Sequence, residues 1–412
     1  MNKRLSKTVL VLTIGLIATT CIYLGISNKS SQKIVDIKGN RQALEGMNIV
    51  YQEDEGIYKT KSVKISKDNL EIDNYAKEVP YDIPSTKENI KDRDLLKNVN
   101  YQAPTYQDDK SKGYVQLNEY YDDYSSVVQH QYMAYVTDKN LQTNKITSYE
   151  IPIKASIKGE NGTDYSSVAI KYQGELYLAV IIDIQPNYFS KEEEQISASK
   201  ECLINVYKLN LENESSEPIF NQKMSDKEKL ASRGNITFSH KDKVYMTMNR
   251  YNELENKEYE IKYDLVEYDL KTNKINITEI PTSIKNQSSL GDYCIDGNKV
   301  SFISYDYDKK ESKDIYKLTM DLDTKKILSN DKYTVKNEKS SFRSNVEKVK
   351  VDNNKIYLIT QVFSEDDKIN RSQASPKYVH VIDEKTKETL YTGKVYEEIN
   401  PGVDVNIVEE EI

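Results

Sequence analysis

Tryptophan is absent from this 412-residue chain, and cysteine and histidine number three each. Cys21 lies in an apolar segment, and Cys202 and Cys294 stand far apart. A disulfide framework needs more numerous, paired cysteines, so these two read as partly buried thiols. His130, His240 and His380 are nowhere at metal-ligand spacing, and no His-Glu-x-x-His occurs; each reads as a turn or strand residue. The 14 glycines form neither a phosphate-binding loop nor a dinucleotide fingerprint, and no Gly-x-Ser-x-Gly elbow exists. Asp306-Tyr307-Asp308 and Glu365-Asp366-Asp367 lack the glycine and terminal glutamate of a calcium-binding hand and read as solvated acidic loops. Net charge is -8, with no dense basic stripe beyond the first residues, which argues against nucleic acid as a partner. No catalytic, cofactor-binding or metal-binding residue can be named, and the expectation is that the chain is not an enzyme.

Only one long uncharged run is present, Thr8 to Ile26, preceded by Lys3, Arg4 and Lys7. As a helix it spans about 28 Å, close to the thickness of a bilayer core. Basic residues before it and few after it place the N-terminus inside and the remainder outside. A cleaved signal would show a shorter apolar region and a small-x-small site, absent near Gly25-Ile26-Ser27. Ala18-Thr19-Thr20-Cys21 departs from a lipoprotein signal. The organisation expected is therefore a cytoplasmic tail at 1–7, a signal anchor at 8–26, a polar linker at 27–37 and an extracytoplasmic domain at 38–412. All three kinds of signal export that domain.

What the chain has in abundance is tyrosine: 33, against 6 phenylalanines. Tyrosine suits strands and can bury its ring while its hydroxyl reaches water. A core is thus available despite 30% charged residues and a mean hydropathy of -0.73.

Asn235 to Pro281 sets the pattern for the rest. Ile236-Thr237-Phe238 turns at Lys241-Asp242 into Val244-Tyr245-Met246-Thr247-Met248. A polar loop leads to Leu265-Val266-Glu267-Tyr268-Asp269-Leu270, and Lys271-Thr272-Asn273-Lys274 turns into Ile275-Asn276-Ile277-Thr278. That is a four-stranded meander. It returns at Tyr293-Cys294-Ile295 with turns Gly297-Asn298 and Asp323-Thr324-Lys325-Lys326. It returns again at Val349-Lys350-Val351 with turns Asn353-Asn354 and Glu384-Lys385-Thr386-Lys387. Upstream copies begin at Val168 and, more weakly, at Tyr124. The last three first-hairpin turns recur at about 56 residues, a period typical of propellers and solenoids. Gly297-Asn298 and Asn353-Asn354 suit two-residue hairpins with both central residues at positive φ.

One such sheet cannot bury both faces; radial stacking can. The expected fold is an all-β propeller of six four-stranded antiparallel blades, or seven if 81–116 conceals another, behind one N-terminal transmembrane helix. An insert at 80–112 interrupts the pattern, with Ser85 and Glu88 as a capping box and Ile90, Leu95 and Leu96 as the apolar face of a three-turn helix. Ring closure falls to Val403–Val408 or to the segment near Ile34-Val35-Asp36. Long charged loops between second and third strands (187–200, 253–260, 306–314, 364–375) mark one face as the interaction surface.

By hairpin rhythm and its Asp/Asn-Lys turns, the stretch from Lys38 to Ile412 resembles β-propeller repeat proteins. The likeness is greatest to membrane-anchored extracytoplasmic propellers of Gram-positive bacteria. No functional residue carries over, because the WD signature and the sialidase Ser-x-Asp-x-Gly-x-Thr-Trp turn both require tryptophan and no kelch double glycine occurs. The expected function is non-catalytic binding or sensing of a protein or envelope component at the cell membrane. The alternatives are an exported hydrolase or lyase with central carboxylates, and a regulatory subunit of a transporter or signalling system.

Overall fold

The structure, a computed structural model, describes residues 33–54, 59–68, 70–76, 92–96, 105–121, 130–153, 163–184, 201–224, 230–253, 259–281, 290–305, 312–336, 343–363, 377–396 and 404–409. Strand β1 (Lys33–Gly39) is followed by a 3-10 turn (Arg41–Leu44), β2 (Met47–Asp54), β3 (Lys59–Ile65) and β4 (Leu70–Ala76). A single helical turn, α1 (Arg93–Leu96), precedes β5 (Thr105–Gln107), β6 (Ser111–Tyr121), β7 (His130–Asn140) and β8 (Ile146–Ile153). Then come β9 (Thr163–Tyr172), β10 (Glu175–Ile184), β11 (Glu201–Asn210) and β12 (Ser215–Lys223). The next meander is β13 (Leu230–His240), β14 (Lys243–Glu253), β15 (Tyr259–Asp269) and β16 (Lys274–Ile280). After it follow β17 (Leu290–Asp296), β18 (Lys299–Tyr305), β19 (Ser312–Asp321) and β20 (Ile327–Lys336). The chain ends with β21 (Arg343–Asp352), β22 (Lys355–Phe363), β23 (Lys377–Asp383), β24 (Thr389–Tyr396) and β25 (Asp404–Glu409). All described strands belong to six antiparallel sheets.

The chain divides into two compact units, Met1–Lys77 with Asn337–Ile412, and Glu78–Lys336. The second holds four sequential meanders, β5–β8, β9–β12, β13–β16 and β17–β20. Consecutive sheets share cores. Leu178, Val180 and Ile182 of β10 pack toward Val115, Leu117 and Val136. Ala179 and Ile181 of the same strand join Val244, Met246 and Val266. Both faces of β10 are buried, which explains its unbroken apolar run from Leu176 to Ile182. Phe238, Tyr245 and Leu265 then meet Val300, Phe302 and Met320. First strands adjoin: β9 lies beside β5 and β13, and β13 beside β17.

In the first unit the termini exchange places. β25 adds to β2 and completes the sheet β25-β2-β3-β4, while β1 adds to β24 as a fifth strand. Of the two segments expected to close the fold, β25 completes a sheet, whereas β1 extends one that already has four strands and begins inside the stretch read as linker. Met47, Ile49, Tyr51 and Ile407 pack against Tyr357, Val379, Val381 and Tyr391. β25 also runs beside β21.

The turns explain the repeat. Asp269 Oδ1 accepts from the backbone N–H of Lys271 and Thr272, Asp321 from Thr324 and Asp383 from Thr386. Asn273, Lys325 and Lys387 close these turns at positive φ. The residue after each carboxylate (Leu270, Leu322, Glu384) donates its N–H to the first hairpin turn of the same sheet, at Asp242, Asn298 and Asn354. The side chain fixes its own turn, and the next backbone N–H ties that turn to the first. Asn353 and Asn354 both take positive φ as expected, but at the equivalent turn only Gly297 does.

Several expectations need correction. Thr105–Gln107 and the start of β6 belong to a sheet, not to the 80–112 insert, so the weak copy starts upstream of Tyr124. No seventh sheet is found among the described residues. Of the expected insert helix, α1 is the described part, and Leu95 and Leu96 are buried as foreseen; Ser85, Glu88 and Ile90 lie outside the described residues. His130 opens β7. Tyrosine hydroxyls frequently stay inside: Tyr106 donates to Asp138 at 2.8 Å, and Tyr268 to Asn273. Among the described residues no helix is long and apolar enough to cross a membrane. Thr8–Ile26 lies outside them.

Candidate functional site

The two ends of the sheets are built differently. At the turn end of the second unit, polar ties join neighbouring sheets. Lys171 of β9 donates to Ser111, lies 3.8 Å from Asp108 and Asp138, and sits over the Tyr106 ring. Lys325 reaches back to Glu267 of β15, which also accepts from Lys243 at 2.9 Å and from Asn276, and it covers the Tyr245 ring. Burial raises the Glu267 pKa, but the bonds from Lys243, Lys325 and Asn276 outweigh it and hold the carboxylate at about 2. Asp92, just before α1, accepts from Lys112 and Lys139 and pins the insert to its sheet.

The opposite end, from which the segments between second and third strands leave, also carries buried charge. Asp183 of β10 faces Cys202 of β11 in register, and both are buried. Burial first, then the charge of Asp183 and the bond to it, pushes the thiol well above its usual range; such a thiol is no nucleophile. Arg250 grips Asp264 with two donors at 2.7 and 2.8 Å and reaches Glu279 at 3.1 Å. Asp314 accepts from Thr334 at 2.7 Å and pairs with Lys332 at 2.9 Å, beside the buried Lys313. Buried ions cost several kcal/mol each, on the order of what a paired geometry returns, here as at Glu267.

In the first unit the same end of β22–β24 holds His380. Its ring lies between Thr360 and Thr392, each 3.2 Å away, and stacks on Tyr378. Burial pulls its pKa down to about 4, so it is a neutral bridge between two hydroxyls. Lys377 is buried there over the Tyr51 ring.

Sequence reasoning named the loops but missed the charges below them. The loop interiors, 185–200, 254–258, 306–311 and 364–376, lie outside the described residues, as do both acidic stretches considered for calcium. Asp183 left a signal, an acid inside the apolar run Leu178–Ile184. Asp264 and Asp314 were not singled out, although Asp314 alternates in phase with the core residues Leu318 and Met320, and Asp264 with Val266 and Tyr268. Among the described residues no three His, Cys, Asp or Glu side chains gather to hold a metal. Cys202 is buried and Cys294 half-buried, and the two lie in different sheets.

No family model and no curated protein matches this chain. Solved structures do. A subtype N11 neuraminidase-like protein of A/flat-faced bat/Peru/033/2010 (H18N11) is 12% identical over 84% of this chain and 83% of its own, with a TM-score of 0.31. Polysaccharide lyase Uly1 is 9% identical over 69% and 55%, at 0.32. Prolyl oligopeptidase B from Galerina marginata is 12% identical over 89% and 51%, at 0.33. The chain spans about half the length of the last two. These neighbours carry enzyme or enzyme-like names, and the expectation that the chain is not an enzyme is corrected accordingly.

Proposed function

We propose that this chain is a membrane-anchored, extracytoplasmic β-propeller that engages a protein or cell-envelope component through its loop end. The observation that carries the reading is the contrast between the two ends. Short capped turns and inter-sheet ties occupy one, and the long charged segments between second and third strands leave from the other. The propeller arrangement is supported by sheets buried on both faces and by first strands that run side by side. The uncharged run Thr8–Ile26 and the basic residues before it support the anchor.

The test is made in intact cells with cysteines placed at Ser190 and Asn353. Both are expected to react with a membrane-impermeant maleimide, with the protein in the membrane fraction. A photo-crosslinker at Ser190 or Asp366 should then give a discrete adduct that one at Gly174 or Asn353 does not. Protection of both cysteines, or adducts equal at both ends, contradicts the reading.

A further inference from the structure

Among the described residues five sheets have four strands, and β21–β24 alone carries a fifth, β1. Its four own strands already follow one another in order, so β1 is an addition to a finished sheet. It pairs antiparallel with β24 from Lys33↔Tyr396 to Gly39↔Tyr391, with a bulge between Asp36 and Lys38. It buries little. Only Ile34 packs on the core, while Val35 and Ile37 are 43% and 39% exposed. What holds it besides the ladder is one carboxylate. Asp36 accepts from the Tyr391 hydroxyl at 2.6 Å and from Arg41 through Nε at 3.1 Å and Nη2 at 2.9 Å.

Both donors lie outside β1, on β24 and on the 3-10 turn. Gly393 adds a notch: a Cβ there would stand 2.3 Å from the Tyr391 hydroxyl and 2.9 Å from the Ile34 methyl. The β24 edge therefore reads a strand at two points, an aliphatic side chain at Gly393 and a carboxylate two residues on at Tyr391 and Arg41. Edge strands with free backbone groups accept extended peptides, and side-chain pockets give such pairing its specificity.

We propose that the outer edge of β24 is a peptide-acceptor site, filled here by the chain's own Lys33–Gly39. Its partner is an extended aliphatic-x-acidic segment of another protein. The site is separate from the loop end and stands or falls independently of the reading above.

The probe is a fluorescent peptide with the sequence Lys33–Gly39. The receptor is the full chain with its own strand disabled by Ile34→Asp and Asp36→Arg. The probe should bind this variant at least ten-fold more tightly than the wild type. Binding should fall about ten-fold when the probe's aspartate becomes asparagine, or when Tyr391→Phe is added, in line with a lost charge-assisted hydrogen bond. No binding to a folded variant, or equal binding of a scrambled probe, overturns the proposal. If the double variant fails to fold, a specific protease site between Gly39 and Asn40 replaces it. Exchange of the nicked strand for the probe supports the site, and retention without exchange over a day overturns it. Elution of the wild type as a strand-exchanged dimer also overturns it, because the edge would then be filled by a second copy.

Discussion

The Tyr391 hydroxyl donates to the Asp36 carboxylate at 2.6 Å across 355 positions of sequence. It joins the outermost strand of the last sheet to the strand beside it, and Gly393 leaves the space in which the ring lies. Tyr391→Phe is expected to cost about 1 kcal/mol, the low end for a bond to a charged group because Asp36 is partly exposed. Gly393→Ala should cost more, about 1–3 kcal/mol, since the methyl displaces the ring. Urea midpoints of the two variants check both values and their order.

The two exchanged terminal strands should differ sharply in worth. Ile407 of β25 is buried and completes the first sheet, whereas β1 is mostly exposed. Ending the chain before Asp404 should abolish the cooperative thermal transition. Deleting Lys33–Gly39 should leave that transition in place with a lowered midpoint. Calorimetry on the two truncations distinguishes these outcomes.

Glu267 links stability to acid. Its folded pKa is about 2 against an ordinary 4.5, so the unfolded chain takes the proton first. Its contribution is full above about pH 4.5 and is lost as pH falls toward 2, about 3 kcal/mol as an order of magnitude. Glu267→Gln should be less stable at pH 6 and show a flatter stability curve between pH 4.5 and 2.

Much of the fold was legible in the sequence because the turns are local. The carboxylates Asp269, Asp321 and Asp383 cap their own turns within three residues, so hairpins and period could be read directly. The exchange of β1 and β25 was only half legible, because pairing between chain ends leaves no local mark. β5 escaped notice for another reason: three residues behind Pro104 are too few to show alternation. The loop-end charges were hidden because a carboxylate such as Asp264 or Asp314 reads as solvated until another sheet packs on its strand. Burial by a distant segment is not a property of the strand that carries the residue.

His380 titrates in a different window. Burial lowers its pKa to about 4 from 6.5. The unfolded chain therefore binds a proton first as pH drops below 6.5, and stability declines until about pH 4. His380→Gln, which retains donors and acceptors for Thr360 and Thr392, should remove that decline while leaving the Glu267 window intact. Denaturation midpoints taken from pH 7 to pH 3 test the separation.

The proposed propeller is tested most directly by small-angle X-ray scattering on the chain from Lys33 onward. A propeller predicts a radius of gyration of about 21 Å, the value for a compact chain of this length, with a symmetric pair-distance distribution. A markedly larger radius with a long-tailed distribution would mean a row of stacked sandwiches and would contradict it.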